Sequence, residues 1–229
     1  LNNIFDKCNL KIKKIFLKSF IKGAYLSENK KISGNFFKIK IKNKSSKIFH
    51  FENNSLKLEQ NFKFGNDIII DDISKINYLK KEIIKKILNK IELKDDHLES
   101  ELIEKEFFLD ENFRKIKKKL IYEIALARIR EISNLLIFQN INFYHCLKSS
   151  KIIILEIEDE LTLKGLTKIY ETVFLMNKKF NLILIGQLPT ESILDIANKL
   201  VHFGWNKEAI PITQTKKSVI ARLFDAIFG

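Results

Sequence analysis

At 229 residues and 45% hydrophobic, the chain can bury a sizeable core, and no stretch approaches the roughly 18 to 20 uninterrupted apolar residues of a membrane-spanning helix. Cys8 and Cys146, the only cysteines, stand in no metal-ligating spacing and suit a reducing cytoplasm. The net charge of +13 rests on 41 Lys+Arg, and removing Arg114, Arg128, Arg130 and Arg222 leaves 37 lysines. These lysines run along the whole chain beside Ile, Asn and Phe. AT-rich codon usage produces such a bias, whereas a nucleic-acid interface clusters basic residues with aromatic stacking groups.

Beginning on Leu1 rather than Met, the chain reads as the later part of a longer protein. Its first residues lack the basic, apolar and cleavage-site order of a signal peptide. Phe36 to Ile41, Lys47 to Phe51 and Leu56 to Phe64 read as strands separated by turn-prone NKSS and ENNS. Asp67 to Ser74 reads as a short helix after Gly65, and Tyr78 to Lys90 as a second, with Leu79, Ile83, Ile84, Ile87 and Leu88 inward. The acidic segment from Lys94 to Glu111 reads partly as surface loop.

From Phe113 to Phe138 runs the longest helical pattern, with a core stripe of Phe113, Ile116, Leu120, Ile124, Ala127, Ile129, Ile132 and Leu136. Lys151 to Glu156 predicts a buried strand, Gly165 to Met176 a helix, Asn181 to Ile185 a strand and Thr190 to Phe203 a helix stopped by Gly204. Alternating strands and helices in the last third imply an α/β layer. Trp205 is expected to pack over that helix end, and the stretch to Thr215, with Pro211, reads as a linker.

No catalytic constellation stands out. His50, His97, His145 and His202 are dispersed, and Cys146 beside His145 is no catalytic pair by adjacency alone. Glu156, Glu158, Asp159 and Glu160 cluster beside a strand end without a nucleophile or base at readable spacing, and read as a solvated loop. No two glycines lie within ten residues of each other, so no Gly-rich phosphate loop exists. Neither an enzyme nor a metal site is expected.

The order of elements, and NNSLKLEQNFKFGNDIIIDDISKINYLKKEIIKKI within it, resembles the second half of the bacterial division protein family FtsA. Gly65, Asn66, Asp72 and Ile73 fall at the family's turn and following helix. Arg128, Glu131 and Ile132 match its Arg-x-x-Glu-Ile helix, and GL at 165–166 with LVHFG at 200–204 match two later signposts. The resemblance covers almost the whole chain and implies an actin-like (ribonuclease H-like) α/β fold. Residues 1–76 and 150–205 would form a core subdomain, and 77–149 a smaller helical one. A linker at 206–217 and an amphipathic helix at 218–229 would follow.

Departures from the family decide its cofactor. Where actin-like ATPases carry Asp-x-Gly-Gly-Gly-Thr, this chain offers Lys40, Ile41, Lys42, Asn43, Lys44 and Ser45, and its second glycine cluster falls at Ile157 to Glu160. No cofactor is therefore expected, although ATP serves the related family. The resemblance also implies that arginines on the long helix hold the acidic tail of the tubulin-like protein FtsZ. Read as helical, Arg114 and Arg128 lie about 40° apart in azimuth and roughly 21 Å along the axis, with Lys118 one turn after Arg114. Forked guanidinium donors suit carboxylates.

In the last dozen residues, Val219, Ile220, Leu223, Phe224, Ile227 and Phe228 recur at helical spacing, with Lys216, Lys217 and Arg222 bordering them. Such a short helix needs a partner for its apolar face. Six large side chains at roughly 1.5–3 kcal/mol each suit reversible insertion into an anionic membrane surface. The expected function is a non-catalytic scaffold tethering the FtsZ ring to the inner face of the cell membrane at the division site, self-associating into filaments. An actin-like ATPase and a basic nucleic-acid-binding protein are the alternatives.

Overall fold

The computed structural model describes residues 5, 7–9, 12, 15–28, 32, 34–53, 55–93, 95–96, 99–108, 111–158, 164–186 and 188–203. The expected linker at 206–217 and amphipathic helix at 218–229 lie outside the described residues, as do Gly204 and Trp205. Two compact units form. One comprises the described parts of Leu1–Gly34, Phe51–Lys57 and Leu188–Gly229, the other those of Asn35–His50 and Leu58–Gln187.

A mixed five-stranded sheet runs in the order β3-β2-β1-β4-β5, with β1, β4 and β5 wholly in the larger unit. Its strands are β1 (Phe36–Ile41), β2 (Ser46–Glu52), β3 (Ser55–Phe62), β4 (Ile152–Ile157) and β5 (Asn181–Ile185). The central pairs β1–β4 and β4–β5 are parallel, with Lys40 opposite Glu156 and Ile41 opposite Ile157. Successive strand residues point to opposite faces. Phe37, Ile39, Ile41, Ile153, Leu155 and Ile157 thus share one face and enter one continuous apolar core.

Four helices close that core: α2 (Asp67–Asn77), α3 (Lys81–Lys90), α4 (Lys118–Ser133) and α6 (Lys164–Met176). They follow α1 (Lys18–Glu28), which belongs to the other unit, and the one-turn α5 (Cys146–Ser149) lies between α4 and α6. Within the stretch from Leu79 to Phe143, expected in a separate subdomain, the buried apolar groups belong to the same core as the sheet. In the smaller unit, α1 packs on α7 (Thr190–Phe203) through Ile21, Ala24, Ile193, Ile196 and Leu200.

Three elements differ from the sequence reading, each for a local reason. Tyr78 adopts φ 53° and ends α2 in the left-handed region, so α3 starts only at Lys81. Residues 113–117 are not helical, because Leu102 pairs with Lys117 and the Ile103 N–H donates to the Ile116 carbonyl at 2.8 Å. The long helix therefore starts at Lys118, and past Ser133 it widens into a π turn, Asn134–Phe138. Its buried stripe is Ile121, Tyr122, Ala125, Ile129 and Ile132, while Leu120 and Ala127 are exposed.

Gly65 places the β1–β2 hairpin against α2. A Cβ there would stand 1.9 Å from the Lys42 carbonyl oxygen. Its absence lets the Asn66 and Asp67 N–H groups donate to the Lys42 and Asn43 carbonyls at 2.9 and 2.8 Å. Two helix-terminal amides are thereby satisfied without a side-chain cap.

Candidate functional site

The β1 sequence FFKIKI alternates lysine with isoleucine, which puts both lysines on one face of the strand. The structure buries both faces. Lys38 and Lys40 project from the face opposite the apolar core, as does Lys42 just beyond the strand, and Glu156 and Glu158 meet them from β4 and its end. The parallel register sets this up, because Lys40 lies directly opposite Glu156.

The five residues form a continuous ladder. Lys38 Nζ lies 2.9 Å from Glu156 Oε2 and Lys40 Nζ 3.0 Å from Glu156 Oε1. Lys40 also reaches Glu158 Oε1 at 3.7 Å, and Lys42 reaches the same oxygen at 3.2 Å. Side-chain exposure rises along it: 0% for Glu156, 3% for Lys38, 17% for Lys40, 25% for Glu158 and 39% for Lys42. The Glu158 N–H donates to the Ile41 carbonyl at 2.7 Å, extending the β1–β4 pairing past the strand end.

Glu156 thus corrects the sequence reading, which placed it with Glu158, Asp159 and Glu160 in a solvated loop. Glu156 is fully enclosed and holds two ammonium groups; Asp159 and Glu160 lie outside the described residues. The cue lay in two short patterns of opposite sign, Lys-x-Lys-x-Lys at 38–42 and Glu-x-Glu at 156–158.

The ladder lies at the carboxyl ends of β1 and β4, at the middle of the sheet. Open α/β sheets bind ligands outside such strand ends, at a switch in strand order. Of the two segments expected in place of glycine-rich loops, Lys40 to Ser45 meets the described residues of the other, Ile157 and Glu158, there. Every position from Lys40 to Ser45 carries a Cβ, and Lys40 and Lys42 are already joined to carboxylates.

Within the apolar core, Tyr170 donates its hydroxyl to Asn66 Oδ1 at 3.0 Å from a fully buried position. Burial pushes the Tyr170 hydroxyl far above the usual tyrosine range, so it stays neutral. His50 is also buried, with Nε2 2.8 Å from Ser150 Oγ and its ring against Phe37. Among the described residues no three His, Cys, Asp or Glu side chains gather as metal ligands.

The three cations assigned to a partner sit on different elements. Arg114 precedes α4 rather than lying on it, and its Nη1 donates to the Tyr78 and Asn77 carbonyls at 2.8 and 3.4 Å, closing the end of α2. Arg128 lies on α4 and bridges Asp72 of α2 and Glu131, both at 2.5 Å. Lys118 pairs with Glu104 at 2.7 Å. The expected alignment of Arg114 with Arg128 along one helix is therefore absent.

Next to Lys118, Glu99 meets Lys117 and Lys119 at 2.9 and 3.0 Å, at the edge of an open cleft of about 420 Å³ floored by Ile116 and Leu120. Hydrogen bonds from Lys117 and then Lys119 hold the Glu99 carboxyl below the usual range, and Glu99 in turn raises Lys119.

No protein-family model matches the sequence, and no curated protein is significantly similar to it. Solved structures do resemble the fold. MreB 5 of Spiroplasma citri bound to AMPPNP aligns at 13% identity and TM-score 0.55, over 86% of this chain and 62% of that one. The ADP-bound form aligns at 11% identity and TM-score 0.52, over the same shares. The archaeal actin homolog Ta0583 aligns at 12% identity and TM-score 0.47, over 80% of this chain and 55% of that one. The chain thus spans less than two thirds of these structures, and its fold is an actin-like α/β fold.

Proposed function

We propose that this chain is a non-catalytic, nucleotide-independent scaffold that tethers a polymer to a membrane surface through its terminal amphipathic segment. The ion ladder carries the first part of this reading. A nucleotide phosphate at the ends of β1 and β4 would have to displace Glu158 from Lys42 and Lys40, with no glycine amide to receive it. The second part rests on the pattern from Val219 to Phe228, whose apolar stripe and flanking Lys216, Lys217 and Arg222 suit an anionic bilayer.

The resemblance to the FtsA family supplies the finer form of the proposal. In that form the polymer is the FtsZ ring, the membrane face is cytoplasmic, and this chain self-associates into filaments. Arg128 is the contact of choice for an acidic FtsZ tail, which would compete with Asp72 and Glu131 for its fork. Arg114 and Lys118 complete the proposed contact from their separate elements.

Two experiments test these parts separately. Calorimetric titration with Mg-ATP is expected to give no heat of binding; saturable binding would favour the ATP-binding reading that the AMPPNP and ADP complexes of MreB 5 suggest. Co-sedimentation with anionic vesicles compares the full chain, a chain ending at Lys217 and Phe224→Asp. Only the full chain is expected to pellet. Equal pelleting of all three would assign binding to the basic surface and sink the tail-anchor mechanism. DNA binding that falls steeply with salt and survives loss of the tail would instead favour a nucleic-acid partner.

A further inference from the structure

We propose that Lys38 and Lys40 form a built anion site whose resident ligand is the side-chain carboxylate of Glu156. This inference rests on the nucleotide-independent reading and gives that reading its chemistry. An anion that these strands could otherwise draw from solution is supplied by the chain itself.

The geometry is that of a receptor and its guest. Lys38 and Lys40 stand two residues apart on β1, so both side chains leave the same face of the sheet. Their ammonium groups take one oxygen each of a single carboxylate, at 2.9 and 3.0 Å. Glu156 has no solvent exposure and Lys38 has 3%, so neither group can retain a full shell of water. Removing one partner from such a site leaves a buried charge uncompensated, whereas replacing the pair with well-packed apolar groups is often neutral or better. The pair is therefore a poor device for raising stability. Its distinctive consequence is that the cations are permanently occupied.

Tethering explains why free anions do not compete. A carboxylate fixed on the adjacent strand meets the two lysines at an effective concentration that a dissolved ion reaches only at very high dose. Glu158 plays the same part for Lys42 at the open end, with more water around it. The ladder thus converts a ligand-dependent position into a ligand-independent one.

Glu156→Ala should expose the receptor. The variant keeps both ammonium groups around a hole the size of a carboxylate. Small carboxylates should then rescue it while larger or weakly coordinating anions should not. The test is thermal melting of the full chain in chloride, acetate, formate and inorganic phosphate at matched ionic strength. It compares wild type, Glu156→Ala and the double variant Lys38→Met/Glu156→Leu.

In chloride, Glu156→Ala is expected to melt roughly 10 °C below wild type. Acetate and formate are expected to recover about half of that loss in a saturable way. Wild type and the double variant are expected to show no preference among the anions. Equal responses of Glu156→Ala to chloride and acetate would overturn the proposal, and so would an acetate response in wild type of the same size.

Glu156→Gln guards against a variant that does not fold, since it fills the hole with a neutral side chain. Expected is a lowered melting point that acetate does not restore; a wild-type melting point would show that the negative charge is dispensable and overturn the proposal. Mg-ATP titration of wild type reports only on the scaffold reading. Nucleotide binding by wild type would sink that reading and leave the acetate response to decide the anion site.

Discussion

Lysine and glutamate meet in two quite different settings in this molecule. In the ladder, Glu156 and Lys38 are almost fully enclosed between neighbouring strands. At the start of α4, Glu99 sits between Lys117 and Lys119 at nearly the same distances, with most of its side chain in water. The contact geometry is similar and the energetic consequence is opposite. Water already solvates Glu99 and its partners, so their pairing changes little. Glu156 and Lys38 have given up that solvation and depend on each other. Distance alone therefore says nothing about which pair matters.

The comparison breaks most visibly at its buried end. Lys38→Ala should lower stability by about 3–5 kcal/mol, because it leaves half of Glu156 facing a void. Lys38→Met/Glu156→Leu should stay within about 1 kcal/mol of wild type or exceed it, if packing is kept. Chemical denaturation of the two variants checks both numbers. A double variant no better than the single one would show that the ladder acts through more than charge.

A second variant disturbs the ladder's open end without touching a charge. Gly65→Ala drives a methyl group into the Lys42 carbonyl and should cost about 1–3 kcal/mol, read as a shifted denaturation midpoint. Unchanged stability would mean that the hairpin moves freely against α2.

A buried neutral group sharpens the contrast further. Tyr170→Phe should cost about 1 kcal/mol at neutral pH by removing the hydrogen bond to Asn66. Burial raises the Tyr170 pKa in the folded state, so the unfolded chain, with an ordinary tyrosine pKa of about 10, releases its proton first. The contribution of Tyr170 is fully present below about pH 10 and fades as pH rises beyond it. Alkaline denaturation of Tyr170→Phe should therefore show a flatter high-pH limb than wild type.

The smallest effect belongs to the exposed trio. Glu99 has a depressed pKa through its two lysines, so any stability it adds is present above the usual carboxylate range and lost as pH falls through the lowered value. Solvent screening should make Glu99→Gln indistinguishable from wild type by thermal melting, and added salt should erase whatever remains. A clear loss would remove the distinction between the two settings.

Much of the fold was legible because apolar periodicity is local. The order from β1 to β3 and the pattern from β4 through α7 followed from short windows, and α7 kept the ends read for it. The start of α4 was not legible in that way. Phe113 and Ile116 have helical spacing, but pairing with residues 101–104 holds that stretch extended. The eleven-residue α1, interrupted by Gly23 and two lysines, gave no clear signal before its packing on α7 was visible.

The ladder was hidden for a related reason. Alternating lysines on one strand mark a face without showing what covers it, and only pairing with a strand more than a hundred residues later shows that they face carboxylates in a closed space. Composition misled here too, since a lysine-rich chain makes each lysine look like background. Conversely, Arg114 and Arg128 stood out by rarity, yet each holds local structure together.

The alternation of charge along the ladder also limits how such a chain can change over generations. Exchanging Lys38 or Glu156 alone for an apolar residue strands its opposite number in a place without water, at a cost comparable to much of a domain's total stability. The rungs must change in matched pairs or from the exposed end inward, beginning at Lys42 and Glu158. Matched exchange is thus the route by which the buried rungs can vary without passing through a poorly folded intermediate.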